Sequence, residues 1–203
     1  MDNSYQVRLP LAFISCSLRD EDRHFTNWVV KLTAQFGFQP FGTVGLLSAS
    51  PNSIPHDMRE MILQADCLVL AAVNRYSQTD VHDSSKTSFG MSEMMHTEVG
   101  LAHARGIPVL AFVLEGTGVG SFLPQFVQYI PIRPGDQVHL NKQFPLIHSY
   151  FENAKRMIAE RWRKEQTEDL KKAAGWLLST IGGFAIISTV FSDGDEDSGS
   201  ASD

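Results

Sequence analysis

Cysteine is scarce in this chain. Two cysteines in 203 residues, Cys16 and Cys67, exclude the disulfide framework of a small secreted domain and point to free thiols in a reducing compartment. Basic charge is short as well. Lys and Arg number 17 against 23 Asp and Glu, leaving a net charge of −6, so no broad attraction to nucleic acid is expected. The first residues lack a basic region, an apolar run and a small-residue cleavage site, so no signal peptide is expected. The seven histidines show no zinc-type spacing, and no metal site is expected. The Gly-rich stretch 116–120 lacks both the Lys-Ser/Thr of a P-loop and the spacing of a dinucleotide fingerprint, and reads as a flexible loop. There is no internal repeat.

Apolar material is sufficient. A hydrophobic fraction of 43% supports a real core, and the length suits one domain plus an appendage. Leu11 to Ser15 is a short apolar run that predicts a first strand. Phe25, Trp28, Val29, Leu32 and Phe36 repeat at helical spacing, and Gly37 sits where that helix should stop. Phe38 to Val44 predicts a second strand, weakened by Pro40. A helix with Met58, Met61, Ile62 and Ala65 inward should follow, then a continuous apolar strand from Cys67 to Val73. Asn74 to Gly90 is polar and aperiodic, and reads as a long loop of the functional or mobile kind. Ser92 then caps a helix, Gly106 ends it, and Val109 to Leu114 is a further strand. Ile130-Pro131-Ile132 reads as a short edge strand, and Tyr150 to Lys164 as a closing helix. Strand and helix alternate, which predicts an α/β fold with a doubly wound parallel sheet and a C-terminal helical extension.

The predicted organisation is an α/β domain over residues 1–148, an amphipathic connecting helix over 149–172, an uncharged helix over 173–191 and a disordered acidic tail over 192–203. The 173–191 stretch is just long enough to cross a bilayer. Lys171 and Lys172 precede it, so a spanning helix would leave the large domain cytoplasmic. Gly182 and Gly183 would permit close helix contact, and the same stretch also reads as a helix-pairing segment in a soluble protein.

Glu98 is the most informative residue. On helical spacing it shares a stripe with Met94, Leu101, Ala102 and Arg105, mostly apolar and expected to face the core. A carboxylate there loses water and needs a compensating reason to stay. One reason is chemistry on a ligand. The plainer one is an ion pair with Arg105 or Arg75.

Three segments together resemble one family. Residues 13–22, Phe-Ile-Ser-Cys-Ser-Leu-Arg-Asp-Glu-Asp, resemble the first box of Toll/interleukin-1 receptor (TIR) domains. Residues 54–77, ending Asn74-Arg75-Tyr76-Ser77, look like the TIR helix leading into a strand with a Tyr-Ser turn. Ser92 and Glu98 match the TIR pattern Ser-x-Trp-Cys-x-x-Glu, with Met94 and Met95 replacing Trp and Cys. The resemblance covers about residues 11–134 and implies a flavodoxin-like, TIR-like sheet. Residues 98–102 followed by 106–109 also resemble nucleoside 2-deoxyribosyltransferases. Both families act on N-glycosidic bonds, and both place a Glu at the position of Glu98.

What the resemblance implies is an NAD glycohydrolase or cyclase, with NAD as substrate and no cofactor, acting as a defence effector and commonly as a homo-oligomer. Glu98 would be the catalytic carboxylate. Ser15, Ser17, Arg19, Tyr76, Ser92 and His96 would contact substrate. The residues themselves leave plainer roles open: loop polar groups for Ser15, Ser17 and Arg19, a strand end for Tyr76, a helix cap for Ser92 and a surface ring for His96. Alternatives are a nucleoside or nucleotide N-glycosidase of the deoxyribosyltransferase type, a non-catalytic nucleotide-sensing adaptor, and a membrane effector driven by the 173–191 helix.

Overall fold

The computed structural model describes residues 8–42, 54–79, 82, 85 and 87–190, with the backbone alone at 54, 55, 78, 87, 88 and 170–190. Three apolar runs form the centre of the sheet: β1 (Leu11–Cys16), β3 (Cys67–Ala72) and β6 (Val109–Leu114). Every residue of β3 is buried, as expected for a strand covered on both faces. The outer strands are β2 (Gln39–Phe41) and β7 (Tyr129–Ile132). The order is β2-β1-β3-β6-β7, and every pairing is parallel. Each outer strand carries a proline, Pro40 and Pro131. Proline cannot donate to a ladder and is tolerated where one side has no neighbour. The predicted reach of the second strand to Val44 runs beyond the described residues.

Helices cover both faces. On one lie α1 (Arg23–Gln35) and the early part of α5 (Gln137–Val190). Phe25, Thr26, Val29, Leu32 and Thr33 form the buried stripe of α1, spaced as a 3.6-residue repeat requires. Phe151 of α5 stacks on Phe36 with centroids 4.3 Å apart and lies 5.8 Å from Phe112 of β6. Tyr150 beside it sets its hydroxyl between the carbonyls of Val109 and Gln128 and accepts the Ala111 N–H at 3.2 Å. Burial pushes that phenol up to about 12, so it stays a neutral donor tying α5 to β6 and the start of β7.

On the opposite face lie α2 (Ile54–Gln64) and α3 (Glu93–Ala104). Met58 and Ile62 of α2 pack with Met95, Val99 and Ala102 of α3 over Leu68, Leu70 and Ala111. The stripe of α3 is rotated relative to the sequence expectation. Met95, Glu98, Val99 and Ala102 are buried, while Met94 is 39% exposed and Arg105 is exposed. The rotation follows from packing α3 against α2 as well as the sheet. Arg105 reaches across to the C-terminal carbonyls of α2, donating to Ile62 and, at 3.0 Å, to Ala65. Carbonyls at a helix C-terminus are left short of intrahelical donors, and the guanidinium supplies one.

Residues 74–90 are not a structureless loop. They hold an antiparallel ribbon of β4 (Tyr76–Thr79) and β5 (Thr87–Gly90). Thr, Tyr, Ser and Phe favour extended backbone, but a two-stranded ribbon has no buried face and shows no apolar alternation. The Met91 N–H donates to the Gly118 carbonyl at 3.1 Å, fastening the ribbon to the loop after β6. That loop leads through the short α4 (Leu123–Phe126) into β7.

The chain divides into two compact units, Met1–Ala159 and Glu160–Asp203. The helix that closes the first starts at Gln137, earlier than the sequence suggested, with Asp136 Oδ1 accepting the His139 N–H at 2.9 Å at its start. Through residue 190 the second unit is helical, with an Arg161–Glu165 ion pair at 3.5 Å. Among the described residues no helix is long and apolar enough to cross a membrane. The side chains of 173–190, and Phe191 with the acidic tail, lie outside the described residues.

The stacked ring of Phe151 holds α5 to the sheet. Phe151→Ala is expected to destabilise the first unit by about 3–5 kcal/mol, while Phe144→Ala, at a ring 54% exposed, changes stability by less than about 0.5 kcal/mol. Urea unfolding of the full chain followed by circular dichroism measures both.

Candidate active site

The strand order reverses direction between β1 and β3. One crossover from β1 leads outward to β2, and the later ones lead the other way. Loops leaving the carboxyl ends of two such strands part there and leave a crevice. A cleft of about 330 Å³ occupies this place. Its floor and one wall come from Phe13, Ser15 and Cys16 of β1 with Ser17 and Leu18 beyond it. Val73 and Arg75 enter from just past β3. Met58 of α2 and Ser92, Met94, Met95 and Glu98 of α3 complete it. Most of the lining is apolar, with a few polar groups converging from separate elements, the usual make-up of a small-molecule site.

Glu98 is 7% exposed. Its Oε2 accepts a hydrogen bond from the Ser15 hydroxyl. Burial pushes the carboxyl from its ordinary 4.5 to about 7, and the Ser15 bond draws it part of the way back. Neither arginine considered from the sequence pairs with it. Arg105 is turned to α2, and Arg75 has no ion pair among the described residues. Glu98 is therefore a desolvated carboxyl poised to gain or lose a proton near neutrality.

The other sequence-derived residues divide into three groups. Ser15, Ser17 and Ser92 line the cleft with Glu98. Ser92 also caps α3, accepting the Met94 N–H at 3.3 Å. Tyr76 and His96 line a neighbouring cavity instead. Arg19 lines neither. Its guanidinium holds Asp22 and Glu21 at 2.8 Å each and donates to the carbonyl of Asn74. It clamps the loop after β1 to the loop after β3 and so sets the width of the crevice.

Arg75 is the residue that motif reasoning left outside the binding set. It is exposed at the cleft and is the cation among its lining residues. Its place just past a fully buried strand was the available signal, because such positions form the crevice in open α/β sheets. Met58, Met94 and Met95 carried no comparable mark. Neither cysteine is in a disulfide; Cys67 is buried and Cys16 is half-buried at the cleft. Among the described residues no group of three or more His, Cys, Asp or Glu is placed to hold a metal ion.

The fold and cleft define a doubly wound α/β protein with a crevice at the point where its strand order reverses. No protein-family model matches the chain, so the TIR resemblance has no counterpart there, and no curated protein matches it. Among solved structures, the Clostridium botulinum CMP N-glycosidase BcmB is similar at 13% identity and a TM-score of 0.43, over 66% of this chain and 98% of that one. A conserved protein from Enterococcus faecalis V583 is similar at 16% identity and a TM-score of 0.39, over 76% and 99%. Likeness at these scores carries no functional argument.

The raised carboxyl makes a stability prediction. A folded-state value of about 7 against an ordinary 4.5 means the folded protein binds the proton more tightly than the unfolded chain. Stability is then lost as pH rises from the ordinary value through the folded one. Glu98→Gln removes that loss. The variant is expected to match the wild type near pH 4 and to become more stable by up to about 3 kcal/mol above pH ~8. Denaturation curves across that range measure the difference.

Proposed function

We propose that this protein cleaves the N-glycosidic bond of a nucleotide, with Glu98 as the catalytic carboxylate. The observation that supports this most strongly is the burial of Glu98 in an apolar crevice, held by one hydroxyl and by no cation. A structural carboxylate at that depth is ordinarily ion-paired. In N-glycoside cleavage the bond from ribose C1′ to the base nitrogen breaks with its electron pair leaving on the base. Positive charge builds on the ribose. A dry, fixed carboxylate stabilises that charge far better than one in water. Water then adds its hydroxyl to C1′. Glu98 receives the remaining proton and passes it to solvent or to the released base.

The cleft has one carboxylate among its described lining residues. Cleavage of nicotinamide from NAD suits that inventory, because the leaving group is already cationic and needs no second acid. Arg75 would meet phosphate oxygens, which guanidinium groups bind in forked pairs. Ser15 would hold Glu98 in place while Ser17 and Ser92 meet ribose hydroxyls. NAD is then substrate, not cofactor. Passing the ribosyl group to an internal nitrogen in place of water would give a cyclic product. A nucleoside monophosphate is the second reading, favoured by a cleft with a single cation among its described lining residues.

The uncharged stretch 173–191 completes the proposal as a device for clustering copies of the chain, by membrane insertion or helix pairing, in a defence role. Carbonate extraction of expressing cells tests the first mode. Retention in the pellet supports a membrane anchor, and release to the soluble fraction favours helix pairing.

Concentrated protein incubated separately with NAD and with nucleoside monophosphates, the products resolved by chromatography, tests the activity. Wild-type protein is expected to release base, and Glu98→Gln to lower the rate about a thousandfold. The ionised carboxylate is the active form. The rate should therefore fall about tenfold per pH unit below the Glu98 value of about 7 and level off above it. Arg75→Ala should raise KM with little change in kcat. Absence of base release from every nucleotide would favour a non-catalytic, nucleotide-sensing adaptor.

A further inference from the structure

A second cavity, of about 440 Å³, adjoins the cleft. Three pairs of consecutive residues divide between the two spaces. Arg75, Ser92 and Met95 line the cleft, and Tyr76, Met91 and His96 line the cavity. Neighbouring Cα atoms lie about 3.8 Å apart, so the two spaces share a wall.

The cavity is built unlike the cleft. Its walls are the rings of Tyr76, Phe89, His96 and Phe122, with no carboxylate, Lys or Arg among its described lining residues. Phe89 is 50% exposed. His96 stands edge-on to Phe122 at 5.6 Å and 88°. Backbone glycines let the walls pack closely. The Tyr76 ring lies so close over Gly90 that a Cβ there would come within 2.7 Å of it. Gly118 N–H donates to the Phe89 carbonyl, and a Cβ on Gly118 would strike that same oxygen. The Tyr76 ring and the Phe89 backbone are thus held close against their neighbours. Aromatic walls without formal charge suit a flat ring and give no purchase to a phosphate.

We propose that this cavity binds the second base of a dinucleotide substrate. The reacting ribose lies at Glu98, the diphosphate crosses the shared wall at Arg75, and the far base stacks among Tyr76, Phe89 and Phe122. The order of the three subsites matches the covalent order of a dinucleotide. Which end reacts rests on the N-glycosidase reading above; occupation of the cavity does not.

Calorimetric titration of the full chain, carrying Glu98→Gln so that nothing is consumed, compares NAD with nicotinamide mononucleotide. NAD is expected to bind about tenfold or more tightly than the mononucleotide, the range of one base stacked on aromatic rings. Two substitutions at exposed positions of the cavity, Phe89→Ala to remove a wall and Ser121→Trp to fill the space, should each erase most of that gain. Mononucleotide affinity should stay unchanged in both. Equal affinities for the two ligands, or a gain unaltered in both variants, would overturn the proposal. A preserved gain in a protein whose wild-type form releases no base would refute the N-glycosidase reading and leave the second base site standing.

Discussion

The hydrogen bond from the Ser15 hydroxyl to Glu98 is the interaction on which the site depends. It joins the end of β1 to the middle of α3, elements far apart in the chain. One hydroxyl cannot replace the water that a carboxylate loses on burial. The group stays within reach of protonation near neutral pH, its value raised to about 7. A second donor or a nearby guanidinium would quiet it. The surrounding side chains instead withhold both: Arg105 is spent on the end of α2 and Arg19 on the loop acids. The sheet thereby delivers a carboxyl that is dry, aimed and incompletely satisfied.

The walls around it are held by contacts that touch no ligand. Arg19 bridges the loops after β1 and β3. The β4–β5 ribbon is tied to the loop after β6 through Gly118. Tyr150 joins α5 to β6 and to the lead-in of β7 with one hydroxyl. Each of these fixes the spacing of strand ends, and the crevice is the gap that results. Its chemistry is local, but its shape belongs to the whole first unit.

The parallel sheet was legible because β1, β3 and β6 are apolar through their length, and a buried strand needs no other signature. The helix bearing Glu98 was legible from Ser92 and Gly106, which cap it, with Gly106 at φ 68° where an L side chain is strained. Its face was misjudged by about one residue. Periodicity reports that a helix has a buried side, but Met94 and Met95 are equally apolar, and only the packing of α2 decides between them. The β4–β5 ribbon escaped notice for the opposite reason, since two short strands impose no apolar alternation. Arg19 looked like a ligand residue because its motif is Ser-rich and acidic, and the acids that made the motif recognisable are the ones that hold it. Tyr76 and His96 were singled out for one pocket and stand in the next, a distinction that depends on where the ribbon folds back.

The two prolines on the outer strands have a consequence for how copies of this chain can associate. An open sheet is otherwise an invitation to continue, one molecule's border laid against the next until a filament forms. Here both borders present a ring where an amide hydrogen would be required. Growth of this five-stranded sheet by lateral strand addition is disfavoured from either direction.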